Sequence, residues 1–230
     1  MAIVLKNVKI NNNQNIVLDS NEIIGVMGKD YEKFLKLLKN NNMYYLDKEN
    51  NFNKENVYDE IKEKFSDKKD LDDIIKMLLK ELELDNSFVN KQIKDLSHSE
   101  KRLLCYLMLF IKNPSIIVID EVFLYLDYHY KKKIKYLLKE IIKNTDKTII
   151  IGSNRVDDIY SICDKLLIIK HDKCYYNNPS DIFSNLNIIN EYGLDVPEII
   201  SFVNIAKEKR VNLNYTNDIR DLIKEVYKNV

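Results

Sequence analysis

Tryptophan is absent from the 230-residue chain, and glycine (4), proline (3) and cysteine (3) are scarce. So little glycine and proline excludes a collagen-like or linker-rich polypeptide. The cysteines, Cys105, Cys163 and Cys174, are odd in number and form no C-x-x-C pair. Neither a disulfide framework nor a zinc knuckle is expected, and a reducing compartment is. An excess of either charge is missing too, since 36 Lys and Arg balance 36 Asp and Glu. That balance argues against broad electrostatic binding to nucleic acid, so no nucleic-acid partner is expected. The most apolar stretch, Leu103 to Ile111, is about half the length of a spanning helix, and the first residues turn polar too early for a secretory signal. What remains, 45% hydrophobic and 31% charged residues, fits a folded globular chain. The abundance of Asn, Lys, Ile and Tyr reads as a compositional habit rather than chemistry.

Short, nearly continuous apolar runs recur: 22–28, 43–46, 115–120, 148–153 and 165–170. Runs apolar on both faces, rich in β-branched residues and bounded by polar ones, suit strands of a parallel sheet covered on both sides. Between them lie helix-period segments. Residues 71–84 put Ile74, Ile75, Leu78, Leu79 and Leu82 on one face, and 130–142 do the same with Ile134, Leu137, Leu138 and Ile141. Alternating strands and helices predict an α/β fold with a mainly parallel sheet. From about 185 only helical periodicity continues, with Pro197 placed to start a helix and a second helix over 218–227. The expected division is a domain over 1–184, with a helical subdomain at about 55–112, and a small helical appendage over 185–230. The Asn tracts at 11–13 and 40–42 read as turns, and the Tyr175-Tyr176 pair as strand material.

The residues with the most chemical content lie between Leu96 and Asp127. They run Leu96-Ser97-His98-Ser99-Glu100-Lys101, a long helix, Asn113-Pro114, a strand ending Asp120-Glu121, and Leu126-Asp127. Adjacent acids at a strand's carboxyl end sit where α/β sheets bind ligands. Asp120 suits water-mediated Mg²⁺ and Glu121 suits polarising an attacking water. This block resembles the ATP-binding-cassette (ABC) ATPases, whose signature is Leu-Ser-Gly-Gly-Gln. The resemblance runs to about Phe183 and implies a P-loop NTPase-like fold. It makes Asp120-Glu121 the Walker B pair, Leu126-Asp127 the D-loop and Asn154 the switch position. The tail, Glu191 to Ile200 and beyond, is similar to the C-terminal domain of energy-coupling-factor (ECF) transporter ATPases, and Val57 to Ile61 resembles the segment after their Q-loop.

Against that pattern the chain departs at several places. The family's G-x-x-x-x-G-K-[ST] loop converges backbone N–H groups on phosphate. Here Gly28-Lys29-Asp30-Tyr31-Glu32-Lys33 is shorter, lacks the later glycine and has no Ser or Thr after a Lys. Gly28, Lys29 and Lys33 are the phosphate-side candidates, the lysines as isolated point charges, and Asp30 and Glu32 would repel the anion. Leu46 stands at the Q-loop Gln, Ile10 or Asn12 at the adenine-stacking aromatic, and Asn154 at the switch His, where it donates a hydrogen bond but takes no charge. His98 and Ser99 replace the signature glycines, while Ser97 retains its hydroxyl.

ATP and Mg²⁺ are what the resemblance implies as cofactors, with their binding in this chain's own site in doubt. It implies as partners a second ABC ATPase subunit and a membrane-embedded coupling subunit, and places the chain in the cytoplasm, peripheral on the membrane's inner face. Clustered changes around one ligand point to a degenerate cassette paired with an intact one. The alternative is a pseudo-ATPase scaffold outside transport. Plainer expectations stand beside these: Asp120-Glu121 as a capped or ion-paired strand end, His98 as a polar helix start, Cys105 as a buried packing residue, and Lys131 to Lys133 as a solvated helix face.

Overall fold

The computed structural model describes residues 3–5, 16–39, 43–49, 51–171, 173–216 and 218–229. The Asn tracts at 11–13 and 40–42, and both Ile10 and Asn12, lie outside these residues. A short antiparallel pair, β1 (Ile3–Leu5) and β2 (Ile16–Leu18), precedes the main sheet. That sheet has six strands: β3 (Ile23–Met27), β4 (Tyr44–Leu46), β5 (Ile116–Asp120), β6 (Thr148–Gly152), β7 (Lys165–Lys170) and β8 (Lys173–Asn177), in the order β4-β5-β6-β3-β7-β8. All neighbours pair in parallel except β8, which turns back antiparallel on β7 and carries Tyr175 and Tyr176. The fold is thus α/β with a mostly parallel sheet, as the apolar runs predict.

Both faces of the sheet are covered, which explains why its strands are apolar at every position. Ile24, Val26, Val118, Ile150 and Leu167 face α1 (Tyr31–Lys39), which buries Tyr31, Phe34, Leu35 and Leu38 against them. Residues one step along each strand, such as Ile23, Ile117, Ile119, Ile149, Ile151 and Ile168, join the larger core on the other face. That core is closed by α4 (His98–Lys112), α5 (Tyr128–Asn144) and α6 (Val156–Ile162), together with α2 (Val57–Phe65) and α3 (Leu71–Glu81) from the helical stretch before α4. The helix expected over 71–84 ends at Glu81, and the one expected over 130–142 extends over 128–144.

Gly152 lets α1 sit close to the sheet, because a Cβ there would overlap the side chains of Leu35 and Tyr31. Beyond α7 (Pro179–Phe183) the chain is helical: α8 (Leu186–Tyr192), α9 (Glu198–Glu208) with Pro197 at its N-cap, and α10 (Ile219–Asn229). Leu222 of α10 meets Val203 of α9 and Leu213 in a small core of its own. Among the described residues no helix is long and apolar enough to cross a membrane.

Candidate functional site

The carboxyl edge of the sheet gathers Gly28, Asp120, Glu121 and Asn154, because β3, β5 and β6 end side by side. β3 passes into α1 through only Gly28, Lys29 and Asp30. Gly28 has φ +104° and lies so close to β7 that a Cβ would overlap the Ile169 carbonyl oxygen. Only glycine tolerates that combination. Gly28→Ala should therefore cost about 3 kcal/mol, read as a fall in the urea midpoint at unchanged slope; a fall of less than about 0.5 kcal/mol would show that the turn is not held this way.

The polar groups at this edge are engaged with the protein itself. Gly28 N–H donates to Asn154 Oδ1 (3.0 Å), and Tyr31 N–H closes on the Gly28 carbonyl (3.2 Å). The Tyr31 phenol donates to Glu121 Oε1 (2.9 Å) while Ser153 Oγ donates to Glu121 Oε2 (2.8 Å), so each carboxylate oxygen has a donor. Ser153 is held in turn by the Arg155 N–H (3.0 Å). Burial, reinforced by the Glu121 charge and hydrogen bond, pushes the Tyr31 phenol well above its ordinary pKa, so it stays a donor. Glu121 has a left-handed backbone, φ +54°, with its N–H on the Gly152 carbonyl (2.8 Å). Asp30 accepts from Lys33 Nζ (2.7 Å) and the His171 N–H (2.7 Å), which hold its carboxyl below the usual range. Glu32 pairs with Lys48 (2.8 Å). Lys33 is thus spent on Asp30, and Lys29 is exposed. Leu46, which the resemblance places at the Q-loop Gln, is buried at the end of β4.

Asp120 is 4% exposed and its Oδ1 has no hydrogen-bond partner. Burial pushes its carboxyl up to about 6; Lys48 opposes this, and Glu121, Glu32 and Asp47 add to it. One orphaned oxygen is a weak basis for Mg²⁺, which takes one or two carboxylates together with substrate phosphates. The turn offers no Ser or Thr as second ligand, and among the described residues no group of three ligating side chains is present. As folded, these residues do not fit a Mg²⁺–triphosphate: the loop is short, an acidic side chain sits at the turn, and a phenol rests on the Glu121 carboxylate.

Ser97, His98, Ser99 and Asp127 belong to a second group of residues, where the His98 and Tyr125 rings lie with centroids 4.9 Å apart. Ser97 caps α4 in a full capping box: its Oγ accepts from Glu100 N–H (3.2 Å) and Glu100 Oε2 accepts from Ser97 N–H (2.9 Å). Lys91 (2.6 Å) and the cap bonds hold Glu100 down to about 2. His98 opens the helix, Ser99 is half-buried in its first turn, and Asp127 caps α5 by accepting from Tyr130 N–H (2.9 Å). Cys105 is half-buried, and Lys131 and Lys133 are ion-paired to Asp158 and Glu83 rather than simply solvated.

Three residues of weight carry no motif. Tyr31 and Ser153 fill the Glu121 site, and Arg102 is fully buried, donating to the carbonyls of Asp47 (2.6 Å), Asp120 (2.7 Å) and Glu121 (2.8 Å). The apolar run before Ser153 points to a strand end there. Nothing in the sequence announces Tyr31 or Arg102 as partners of Asp120-Glu121.

No protein-family model matches the chain. It is 25% identical over 130 residues to the energy-coupling factor transporter ATP-binding protein EcfA2 of Clostridium acetobutylicum, covering 56% of this chain and 46% of that one. It is 25% identical over 159 residues to EcfA of Malacoplasma penetrans, covering 69% and 55%. The chain spans about half the length of the curated relatives it matches. Among solved structures, cbiO1 of Clostridium perfringens, described as part of the ABC transporter complex cbiONQ, superposes with a TM-score of 0.60 at 19% identity over 84% of this chain and 91% of that one. The chain is therefore similar in sequence to ECF transporter ATP-binding proteins and is built on the fold of an ABC ATPase cassette.

Proposed function

We propose that this chain is the degenerate cassette of an ECF-type membrane importer, pairing with an intact ABC ATPase subunit and docking on a membrane-embedded coupling subunit. In this reading residues 1–184 form the cassette, with 55–112 its helical subdomain, and 185–230 the appendage. It works at the cytoplasmic face, and the surface around Leu46 to Phe65 meets the membrane subunit. Gly28, Lys29, Lys33, Asp120, Glu121 and Asn154 are relics of a nucleotide site that no longer turns over ATP. Ser97, Ser99 and Asp127 are what the chain lends to nucleotide held by its partner.

The observation that supports this most is the double occupation of Glu121 by Tyr31 and Ser153, with Asn154 on Gly28. A general base must present a lone pair to its attacking water, and here the Tyr31 phenol and the Ser153 hydroxyl each hold one oxygen of the carboxylate, so it is turned toward protein donors. The similarity to ECF ATP-binding proteins supports the transport context. Titrating labelled ATP with Mg²⁺ against the isolated chain should give no saturable binding in the submillimolar range and no turnover. Turnover that Glu121→Gln abolishes would overturn the closed-site reading. Purification from the source should bring down an intact cassette and a multi-span protein; if neither appears, transport is lost and the pseudo-ATPase scaffold takes its place.

A further inference from the structure

The loop between β5 and α5, Glu121 to Asp127, carries backbone strain at two places. Glu121 has φ +54° and Tyr125 φ +64°, and neither is a glycine, asparagine or aspartate. A left-handed backbone at such residues persists only where the surroundings over-determine it. At Glu121 they do. Its carboxylate accepts from the Tyr31 phenol and Ser153 Oγ, its N–H donates to the Gly152 carbonyl, and its carbonyl accepts from Arg102 Nη2. Tyr31 belongs to α1 and Ser153 follows β6, so donors from other elements hold the strain at the end of β5. A turn that had only to reverse the chain would be served best by glycine at 121.

From Glu121 the loop runs as two linked turns. Leu124 N–H closes on the Glu121 carbonyl (3.0 Å), and Leu126 N–H closes on the Phe123 carbonyl (3.2 Å). Within them Val122 and Phe123 are buried, and the Val122 carbonyl accepts from the Tyr106 hydroxyl. That is a pivot, with Glu121 on one side and Tyr125 on the other. Tyr125 is 49% exposed and lies against the ring of His98, itself exposed at the start of α4. One end of the loop therefore sits in the strand-edge cluster and the other on the surface.

We infer that this loop is a two-position latch. Closed, Tyr31 and Ser153 hold Glu121 in its left-handed backbone and Tyr125 rests on His98. Open, Glu121 relaxes out of that region, its carboxylate turns to water and Tyr125 leaves His98. The drive to open is built in, because strain is relieved and a half-buried carboxylate that has lost its donors gains by hydration. The coupling is reciprocal: whatever draws Tyr125 off His98 frees Glu121, and whatever loosens Tyr31 is felt at His98. The exposed ring pair is thereby a place from which the closed edge of the sheet can be released.

The chain has three histidines, so the His98 ring protons can be followed by NMR in the full chain. Spectra are taken at about pH 8, where imidazole is neutral, with Tyr125→Ala marking His98 without its ring neighbour. Tyr31→Phe combined with Ser153→Ala removes both donors to the carboxylate. The His98 resonance is expected to move toward its Tyr125→Ala position. Amide exchange at Leu124 and Leu126 should quicken about tenfold or more, with Val118 and Ile119 of β5 unchanged. Tyr125→Ala should in turn quicken exchange of the Glu121 N–H. A second pair of variants isolates the strain. Glu121→Gly and Glu121→Ala both lack the carboxylate, but only glycine is at ease at this φ. Leu124 and Leu126 should stay protected in Glu121→Gly and exchange about tenfold faster in Glu121→Ala. An unmoved His98 resonance in the Tyr31→Phe, Ser153→Ala chain overturns the coupling, and equal exchange in the two Glu121 variants overturns the strain. Exchange that quickens throughout β5 overturns the latch as well, since the whole sheet edge has then loosened. No nucleotide or partner enters these measurements, so failure of the latch is separable from failure of the transporter reading.

Discussion

Arg102→Met is expected to lower the unfolding free energy by about 3–5 kcal/mol, measured by urea denaturation near pH 7. The guanidinium is wholly inaccessible and, among the described residues, pairs with no carboxylate; its Nη1 and Nη2 donate to the carbonyls of Asp47, Asp120 and Glu121, while Nε has no partner. These three belong to the end of β4 and the end of β5, so one side chain joins two strand ends to α4. Methionine fills much of the same space but leaves the carbonyls without donors, each costing about 1–3 kcal/mol where water cannot enter. Arg102→Lys is expected to fail nearly as badly, since an ammonium on a flexible stem does not span three acceptors held by a planar fork. Tyr106, one turn further along α4, bonds the Val122 carbonyl and lies under the guanidinium, 5.5 Å from its ring centroid. If Arg102→Met is neutral within about 0.5 kcal/mol, the residue merely fills space and α4 is held by apolar packing alone.

Asp120→Asn is expected to change the pH dependence of folding more than its value at any one pH. The carboxyl titrates near 6 in the fold against an ordinary 3.8. A carboxyl whose pKa is raised by folding binds more protons in the native state between those two values, so stability is complete below about pH 4 and falls as pH rises through 6. The fall is bounded at about 3 kcal/mol, at about 1.36 kcal/mol for each pH unit between the two values. The variant lacks the titration, so the stability of Asp120→Asn relative to the parent should climb from pH 4 to pH 7 and then level off. Urea midpoints across that range check it. A difference that stays constant with pH would mean that Asp120 is ionised in the fold at an ordinary pKa, as a carboxylate neutralised by Lys48 would be.

These two residues show how far the sequence could be read. Asp120 was legible as chemistry, because an acidic pair closing an apolar run marks a strand's carboxyl end wherever it occurs. That its Oδ1 would be left without a partner was not, since that depends on which side chains the neighbouring strands bring up. Arg102 was not legible at all. A cation within an amphipathic helix ordinarily lies on the wet face, and only the placement of α4 across the ends of β4 and β5 turns it inward. Asn154 stood at the switch position by resemblance, yet that it donates no help to a phosphate and instead accepts the Gly28 N–H follows from β3 lying between β6 and β7.

The sequence by itself determined the strands of the main sheet and the helices over 71–84 and 130–142, and with them the layered α/β arrangement, because apolar periodicity is local; it did not mark β1, β2, α1 or α6. It also determined that only Gly28, Lys29 and Asp30 stand between Met27 and Tyr31, a matter of residue count; in the fold these two are the end of β3 and the start of α1. What only the tertiary structure decided is which side chains gather at that strand end. Tyr31 and Ser153 lie 122 positions apart in a chain whose β5 acid sits between them, and hydrogen bonds of about 3 Å between such residues exist only once β3, β5 and β6 are side by side.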